Sequence, residues 1–155
     1  KGELERVIRE KAEALGLPGK VLFLGNRFDV ERYYQAFDYF VFPSVFEGLP
    51  GSVAEAQAAG LQCLVSDQVT REAALTDLAV YKSIEEPPAG WASEIMRNAK
   101  KALHREEHSG TIEKIFRDKG FDVRQQAAAM EAFYISGVNP PGHVTPYRSF
   151  DKKGR

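Results

Sequence analysis

Short apolar runs alternate with segments of helical periodicity along the first half of the chain. These runs are rich in strand-forming residues and lie at 20–25 (KVLFLG), 39–43 (YFVFP), 61–66 (LQCLVS) and, more weakly, 78–84 (LAVYKSI). Apolar residues at helical spacing precede the first run and separate the others. Parallel strands need a crossover connection, and a helix commonly supplies it. The alternation therefore predicts an α/β fold built on a parallel sheet.

Segments of helical periodicity occur along the chain up to residue 136, and after residue 90 they are the only predicted elements. We predict helices at 2–16, 29–37, 52–59, 70–75, 91–105, 109–120 and 122–136. Asp122 is the expected N-cap of the last helix. The residues after it are rich in proline, glycine and lysine and lack periodicity, which is typical of a loosely held terminus. We therefore predict one domain over 1–137 and a flexible C-terminal tail over 138–155.

Composition and charge exclude several classes of protein. The chain has 155 residues, of which 43% are hydrophobic and 28% charged, and this is typical of one globular domain with a core. With 21 basic and 22 acidic residues the formal net charge is -1, so we expect no nucleic-acid partner. The apolar runs are short, and we expect neither a membrane-spanning segment nor a signal peptide.

Two local features indicate the cellular compartment of the protein and its relation to a longer chain. Its single cysteine, Cys63, lies in an apolar run, which predicts a buried thiol in a reducing compartment and excludes an internal disulfide. The chain begins at Lys1 in the middle of a helical pattern, so we expect a fragment that lacks an N-terminal part. The sequence thus predicts a cytoplasmic domain of a longer protein.

The stretch FEGLPGSVAEAQAAG, at 46–60, has the composition of a ligand-binding loop followed by a helix. In a parallel α/β sheet, ligands lie at the carboxyl ends of the strands, where loops lead into helix N-termini. Glycine in the loop lets backbone amides approach a ligand, and the unpaired N–H groups of a helix start favour a phosphate. Glu55 in the helix can accept hydrogen bonds from the vicinal diol of a ribose, and Glu47 in the loop can hold sugar hydroxyls.

A purely structural interpretation of the same carboxylates is equally compatible with the sequence. The tetrapeptide SVAE satisfies the capping-box pattern, with Ser52 as N-cap and Glu55 reaching back to the backbone N–H of Ser52. Glu47 is then a solvated charge in a surface loop. The spacing of the residues leaves both interpretations open.

The stretch and its surroundings resemble one enzyme family. PSVFEGLPGSVAEAQAAG, at 43–60, is similar to the E-x7-E region of the retaining glycosyltransferases of group 1 (family 4), with Glu47 and Glu55 at its ends. The similarity covers 2–136, and the segment 61–96 resembles the bacterial capsular and exopolysaccharide branch in particular. It implies the C-terminal half of a GT-B fold, in which a Rossmann-like parallel sheet is flanked by helices and followed by C-terminal helices.

The resemblance also assigns residues to a nucleotide-sugar donor site. It implies that Glu55 binds the ribose and that Glu47, the expected catalytic residue, faces the transferred sugar. The sugar and its phosphates would be held by the backbone amides of Gly48, Leu49, Gly51, Ser52 and Val53. The nucleobase would contact Gly25, Asn26 and Arg27, although Arg27 is equally compatible with a plain surface charge. No metal or cofactor is implied, because the helix dipole and basic side chains neutralise the leaving diphosphate.

The activity implied by the resemblance is that of the whole enzyme. It transfers a sugar from a nucleotide-sugar, most commonly a UDP-sugar, to a growing polysaccharide or lipid-linked glycan with retention of configuration. The acceptor domain and the basic pair that grips the diphosphate lie outside this chain, so we expect it to be catalytically silent alone. We expect the full protein in the cytoplasm, peripherally attached at the inner membrane face. An epimerase-like GT-B enzyme and a non-catalytic nucleotide-binding module are the alternatives.

Two other features invite functional interpretations that the sequence disfavours. HREEH matches an inverted zinc-protease motif through His104, Glu107 and His108, but the segment is highly charged and no third ligand is evident. We interpret it as a solvated helix face. A set of aromatic residues fits a core better than a base-stacking platform, namely Tyr33, Tyr34, Phe37, Tyr39, Phe40, Phe42 and Phe46.

Overall fold

The computed structural model describes residues 2–99, 105 and 109–136. The chain divides into two compact units, Lys1–Tyr33 and Tyr34–Arg155. The predicted tail over 138–155 lies outside the described residues.

The first unit begins with the helix α1, at Glu5–Ala14. Two exposed ion pairs at i,i+4 spacing, Arg6 with Glu10 and Arg9 with Glu5, support this helix along its surface. The guanidinium of Arg9 also lies 4.0 Å from the centre of the Phe23 ring. The helix predicted over 2–16 is therefore confirmed, with its ends drawn in.

The strand predicted at 20–25 is wrong. The structure assigns no strand to this segment, and Leu22 within it is 74% exposed. An apolar run becomes a strand only where a neighbour supplies the ladder hydrogen bonds and another layer covers the side chains. Among the described residues, the segment 20–25 pairs with no other strand.

A parallel sheet of three strands forms the centre of the second unit. The helix α2, at Val30–Ala36, spans the division between the units and precedes the sheet. The strands are β1 at Phe40–Phe42, β2 at Cys63–Ser66 and β3 at Ala79–Lys82, in that order across the sheet. The helix α3, at Gly51–Ala58, connects β1 to β2, and a 3-10 turn at Arg71–Ala73 lies between β2 and β3. These elements confirm the predicted α/β fold with a parallel sheet.

Three helices follow the sheet, namely α4 at Pro88–Asn98, α5 at Ser109–Asp118 and α6 at Val123–Ser136. α4 begins three residues before the predicted start, because a proline fits the first position of a helix. Oδ1 of Asp122 accepts hydrogen bonds from the N–H groups of Arg124 and Gln125, at 2.8 and 3.2 Å, which confirms the predicted N-cap of α6. These bonds lower the pKa of the Asp122 carboxyl.

The core of the second unit lies between α3 and the sheet. Val53 and Ala56 on α3 are fully buried, as are Leu61, Cys63 and Val65 around β2. Burial raises the pKa of the Cys63 thiol to about 12, so the thiol is protonated and shielded at neutral pH. The prediction of a buried cysteine is confirmed.

The side chain of Arg105 caps the C-terminal end of α2. Its guanidinium donates hydrogen bonds to the backbone oxygens of Tyr34 and Gln35, each at 3.0 Å, and to that of Phe37. A helix end leaves such carbonyls without partners inside the helix, and a positive charge is favourable there. Gly60 makes room for the arginine, because a Cβ at this position, where φ is +76°, would lie 2.6 Å from Cγ of Arg105.

A buried glutamine ties α3 to the connection after β2. Nε2 of Gln57 donates to the backbone oxygens of Val53 and Ala73, at 3.0 and 2.7 Å. Its Oε1 accepts from both the N–H and the hydroxyl of Thr76, each at 3.0 Å. All four hydrogen bonds that the amide can make are therefore formed inside the protein.

Replacing Gln57 with leucine should strongly destabilise the fold. The change keeps the volume but removes the hydrogen bonds that the glutamine makes to the Ala73 carbonyl, the Thr76 N–H and the Thr76 hydroxyl, so we expect a loss of about 1 to 3 kcal/mol in the free energy of unfolding. Urea denaturation followed by circular dichroism measures it. The same change at the exposed Gln68 should stay within about 0.5 kcal/mol. Equal losses at both positions would contradict the role given to Gln57.

Candidate functional site

The loops that follow β1 and β2 leave the sheet at the same edge. Both strands run parallel, with Phe42 paired to Val65 at their carboxyl ends. Beyond the strands, Glu47 and Val69 form a single parallel backbone bridge between the two loops. The loop at 43–50 is thus held beside the loop at 67–70, where ligands of parallel α/β proteins commonly bind.

Glu47 lies in this loop with an exposed side chain. Oγ of Ser44 is 3.2 Å from Oε1 of Glu47 and 3.3 Å from the backbone oxygen of Phe46. The hydroxyl has one proton, so it donates to one of these oxygens at a time. The carboxylate of Glu47 therefore keeps most of its accepting capacity for groups outside the protein.

The start of α3 contradicts the capping-box interpretation. The N-cap is Pro50, with φ -71° and ψ 110°, and it makes no side-chain capping hydrogen bond. Ser52 is the second residue of the helix instead of its cap. A capping box also needs the backbone N–H of the N-cap residue, which proline lacks. Glu55 therefore has no capping role.

The carboxylate of Glu55 instead accepts a hydrogen bond from Tyr34. The Tyr34 hydroxyl lies 3.2 Å from Oε2 of Glu55, which is on the exposed side of α3. Tyr34 is only 9% exposed, and its ring packs edge-on against Phe40, with 5.8 Å between ring centres. Burial, aided by the charge of Glu55, raises the pKa of Tyr34 to about 12, so the hydroxyl remains a donor at neutral pH.

The first turn of α3 presents backbone amides toward the same edge of the sheet. Those of Gly51 and Ser52 have no acceptor within the helix, because the first N–H groups of any α-helix lack one. The N–H of Val53 donates to the Pro50 oxygen at 3.2 Å, so this predicted donor is already engaged. Of the predicted amide donors in this helix, Gly51 and Ser52 fit the role better than Val53.

Two glycines of the loop and helix start are not required by the protein's own fold. Gly48 and Gly51 lack the positive φ that favours glycine. A Cβ added at either position would meet no atom within 4 Å. Glycine raises the entropy lost on folding, so neither the backbone conformation nor the packing of the described residues gives a reason for glycine at these positions. Gly48 and Leu49, the remaining predicted amide donors, are both exposed.

The residues predicted to contact the nucleobase belong to the first unit. Gly25 has a φ of +65°, and Asn26 is exposed. The guanidinium of Arg27 pairs with both carboxylate oxygens of Asp29, at 3.0 and 3.2 Å, and lies 5.1 Å from the centre of the Tyr33 ring. These hydrogen bonds lower the pKa of the Asp29 carboxyl. Arg27 is therefore already paired within its own unit.

The remaining sequence interpretations have mixed outcomes. Tyr34, Phe40 and Phe42 belong to the core or pack against it, whereas Phe46 is 85% exposed. His104, Glu107 and His108 of the HREEH segment lie outside the described residues. Within the described ranges, no helix has the length and apolar character to cross a membrane, and no group of acidic, histidine or cysteine side chains could hold a metal ion.

The sequence interpretation missed the partner of Glu55. It assigned Tyr34 to the core through its ring and gave the hydroxyl no function. A buried tyrosine normally places its hydroxyl against a polar partner, and this rule was the available signal. Identifying that partner required the tertiary structure, because 21 positions separate the two residues in the chain.

Comparison with known proteins identifies the family of this chain. Residues 1–99 match the family described as Glycosyl transferases group 1. The chain belongs to the group 1 glycosyltransferases. No solved structure gives a significant match to it.

Several bacterial glycosyltransferases are similar to parts of this family member. The chain is 36% identical over 134 residues to EpsF of Bacillus subtilis (strain 168), whose name describes a glycosyltransferase; the match covers 86% of this chain and 34% of EpsF. Over 53 residues it is 43% identical to the UDP-Gal:alpha-D-GlcNAc-diphosphoundecaprenol alpha-1,3-galactosyltransferase of Escherichia coli, covering 34% of this chain and 14% of that enzyme.

A third relative comes from Campylobacter jejuni subsp. jejuni. The chain is 49% identical over 49 residues to its N,N'-diacetylbacillosaminyl-diphospho-undecaprenol alpha-1,3-N-acetylgalactosaminyltransferase, covering 32% of this chain and 13% of that enzyme. The chain thus spans at most about a third of the length of these relatives.

The position of the N-cap can be tested at Ser52. Because Ser52 lies inside the helix, Ser52→Ala should change the free energy of unfolding by less than about 0.5 kcal/mol. Loss of a true N-cap serine typically removes about 1 kcal/mol. Urea denaturation distinguishes the two, with Asp122→Ala as the control that removes a genuine cap. If Ser52→Ala lowers the free energy of unfolding as much as Asp122→Ala does, Ser52 is the N-cap and the capping-box interpretation is correct.

Proposed function

We propose that the carboxyl edge of the sheet binds the donor of a retaining glycosyltransferase, a nucleotide-sugar. The proposal rests on the exposure and the hydrogen bonding of the Glu55 carboxylate. Its carboxylate is exposed, has no capping role and is held by the Tyr34 hydroxyl beside the N-terminal turn of α3. A carboxylate held in this way is suited to accept hydrogen bonds from the two hydroxyls of a ribose.

The neighbouring groups supply the rest of a donor site. The unpaired amides of Gly51 and Ser52, together with the positive end of the α3 dipole, favour a diphosphate at this edge. The side-chain-free space beside Gly48 and Gly51 lets the ligand approach the backbone. Glu47, in the bridged loop, can then accept hydrogen bonds from hydroxyls of the transferred sugar. The proposal needs no metal, because these dipoles oppose the charge of the leaving diphosphate.

The nucleotide and the acceptor are proposed from the relatives. The name of the Escherichia coli relative includes UDP-Gal, which supports a UDP-sugar as the donor here. Two relatives are named for acceptors linked to diphospho-undecaprenol. We therefore assign the complete protein the transfer of a sugar to a lipid-linked glycan or growing polysaccharide, at the inner face of the cell membrane. Contact of the nucleobase with Gly25, Asn26 and Arg27 remains an expectation from the family resemblance.

Removing the carboxylate of Glu55 should abolish or greatly weaken nucleotide binding. Because the ribose hydroxyls lose their acceptor, we expect the Glu55→Ala variant to bind UDP at least about tenfold more weakly, as is typical when a hydrogen bond to a charged group is lost. Isothermal titration of the 155-residue chain measures this, with circular dichroism to confirm the fold. Glu72→Ala, at an exposed glutamate of the 3-10 turn, is the control. UDP affinity that is unchanged by Glu55→Ala would overturn the proposed site.

Adding a methyl group at Gly51 should separate stability from binding. Alanine is favoured over glycine in a helix, so Gly51→Ala should raise the free energy of unfolding by up to about 1 kcal/mol. The same methyl group would enter the space assigned to the donor, so the affinity for UDP should fall.

The matched control for this change is Gly110→Ala. Gly110 is the second residue of α5, and a Cβ there also meets no atom within 4 Å. This variant should gain stability and bind UDP as the parent chain does. Unaltered UDP binding by Gly51→Ala would show that the donor does not occupy the space beside Gly51.

A further inference from the structure

Tyr34 joins the core of the second unit to the proposed donor site. Its ring belongs to the buried cluster formed with Val53, Ala56 and Cys63, and it packs edge-on against Phe40 of β1. Its hydroxyl emerges from this cluster and donates to Oε2 of Glu55 at 3.2 Å. Because the ring is packed in the core, the hydroxyl has a fixed position and restricts the exposed carboxylate of Glu55 that it contacts.

The backbone of Tyr34 is fixed as well as its ring. The guanidinium of Arg105 binds the carbonyl oxygens of Tyr34 and Gln35, each at 3.0 Å, and that of Phe37. Gly60 provides the space through which the arginine stem passes. The end of α2 is therefore held at the tyrosine and at the residues that follow it, which limits the movement of the Tyr34 backbone.

An exposed glutamate without such a partner samples many rotamers, and ordering it on binding weakens the affinity for the ligand. The Tyr34 hydroxyl removes that freedom in advance by fixing one oxygen of Glu55. It occupies one lone pair of Oε2 and leaves the second lone pair and the whole of Oε1 available. Those remaining positions suffice for two hydroxyl donors of a ribose.

We propose that Tyr34 is a positioning residue of the donor site, whose hydroxyl holds the Glu55 carboxylate in the orientation that accepts the ribose 2′- and 3′-hydroxyls. This inference rests on the proposed donor function. It goes beyond that function by assigning ribose recognition to a pair of residues, of which only Glu55 touches the ligand. The contribution of Tyr34 must then vanish when the ligand has no ribose hydroxyls.

Isothermal titration with two ligands tests the proposal on the 155-residue chain. Tyr34→Phe should weaken the binding of UDP about fivefold, because the Glu55 side chain must then be ordered when the ligand binds. The same variant should bind 2′,3′-dideoxyuridine diphosphate as the parent chain does. In the background of Glu55→Ala, adding Tyr34→Phe should weaken UDP binding no further, because the two residues act as one unit.

Tyr39→Phe is the matched control. The Tyr39 hydroxyl is also buried, but it meets no hydrogen-bond partner in the described part of the chain. Its removal should leave the affinity for both ligands unchanged, and thermal unfolding should show that both phenylalanine variants are folded.

Each contrary outcome has a distinct meaning. If Tyr34→Phe weakens both ligands equally, the hydroxyl supports the fold alone and the positioning role is overturned. If Glu55→Ala weakens UDP binding and Tyr34→Phe does not, the donor site stands and the positioning role is likewise overturned. If UDP does not bind, or if Glu55→Ala leaves its affinity unchanged, the proposed function fails and this inference fails with it.

Discussion

The parallel pairing of β1 with β2 is the constraint on which the candidate site depends. Strands that run parallel cannot be joined by a tight turn, so the chain must cross back over the sheet, and it does so as α3. A crossover helix necessarily begins at the edge where the first strand ends. The loop with Glu47 and the first turn of α3 therefore meet at one edge, where the bridge to Val69 holds the loop in place.

The core and the site share structural elements in this protein. α3 buries Val53, Ala56 and Gln57 on one side and exposes Glu55 on the other, so the same helix stabilises the fold and presents the carboxylate. Tyr34 has the same double character within one side chain. Its ring packs in the core and its hydroxyl donates to Glu55, so removing only the hydroxyl tests the contact with Glu55 while the core packing is kept.

Membership of the group 1 glycosyltransferases rests on residues 1–99 of the chain. The family match ends at residue 99, and all residues assigned to the donor lie within it. The helix α5 and Arg105 lie beyond the match, yet they support the site, since α5 packs on α3 and Arg105 fixes the end of α2. The chain spans about a third of EpsF, so the acceptor and the completed reaction belong to the proposal for the longer protein.

The fold class and the composition of the site could be predicted from the sequence. Apolar runs predicted the three parallel strands, although only β2 is buried at every position, and the E-x7-E stretch located both carboxylates. The same local signal wrongly predicted a strand at 20–25, because strand formation also requires a partner. Only the tertiary structure showed that Glu55 has no capping role and that its carboxylate accepts a hydrogen bond from Tyr34. These facts depend on where α3 begins and on a hydroxyl 21 positions away, and neither follows from local spacing.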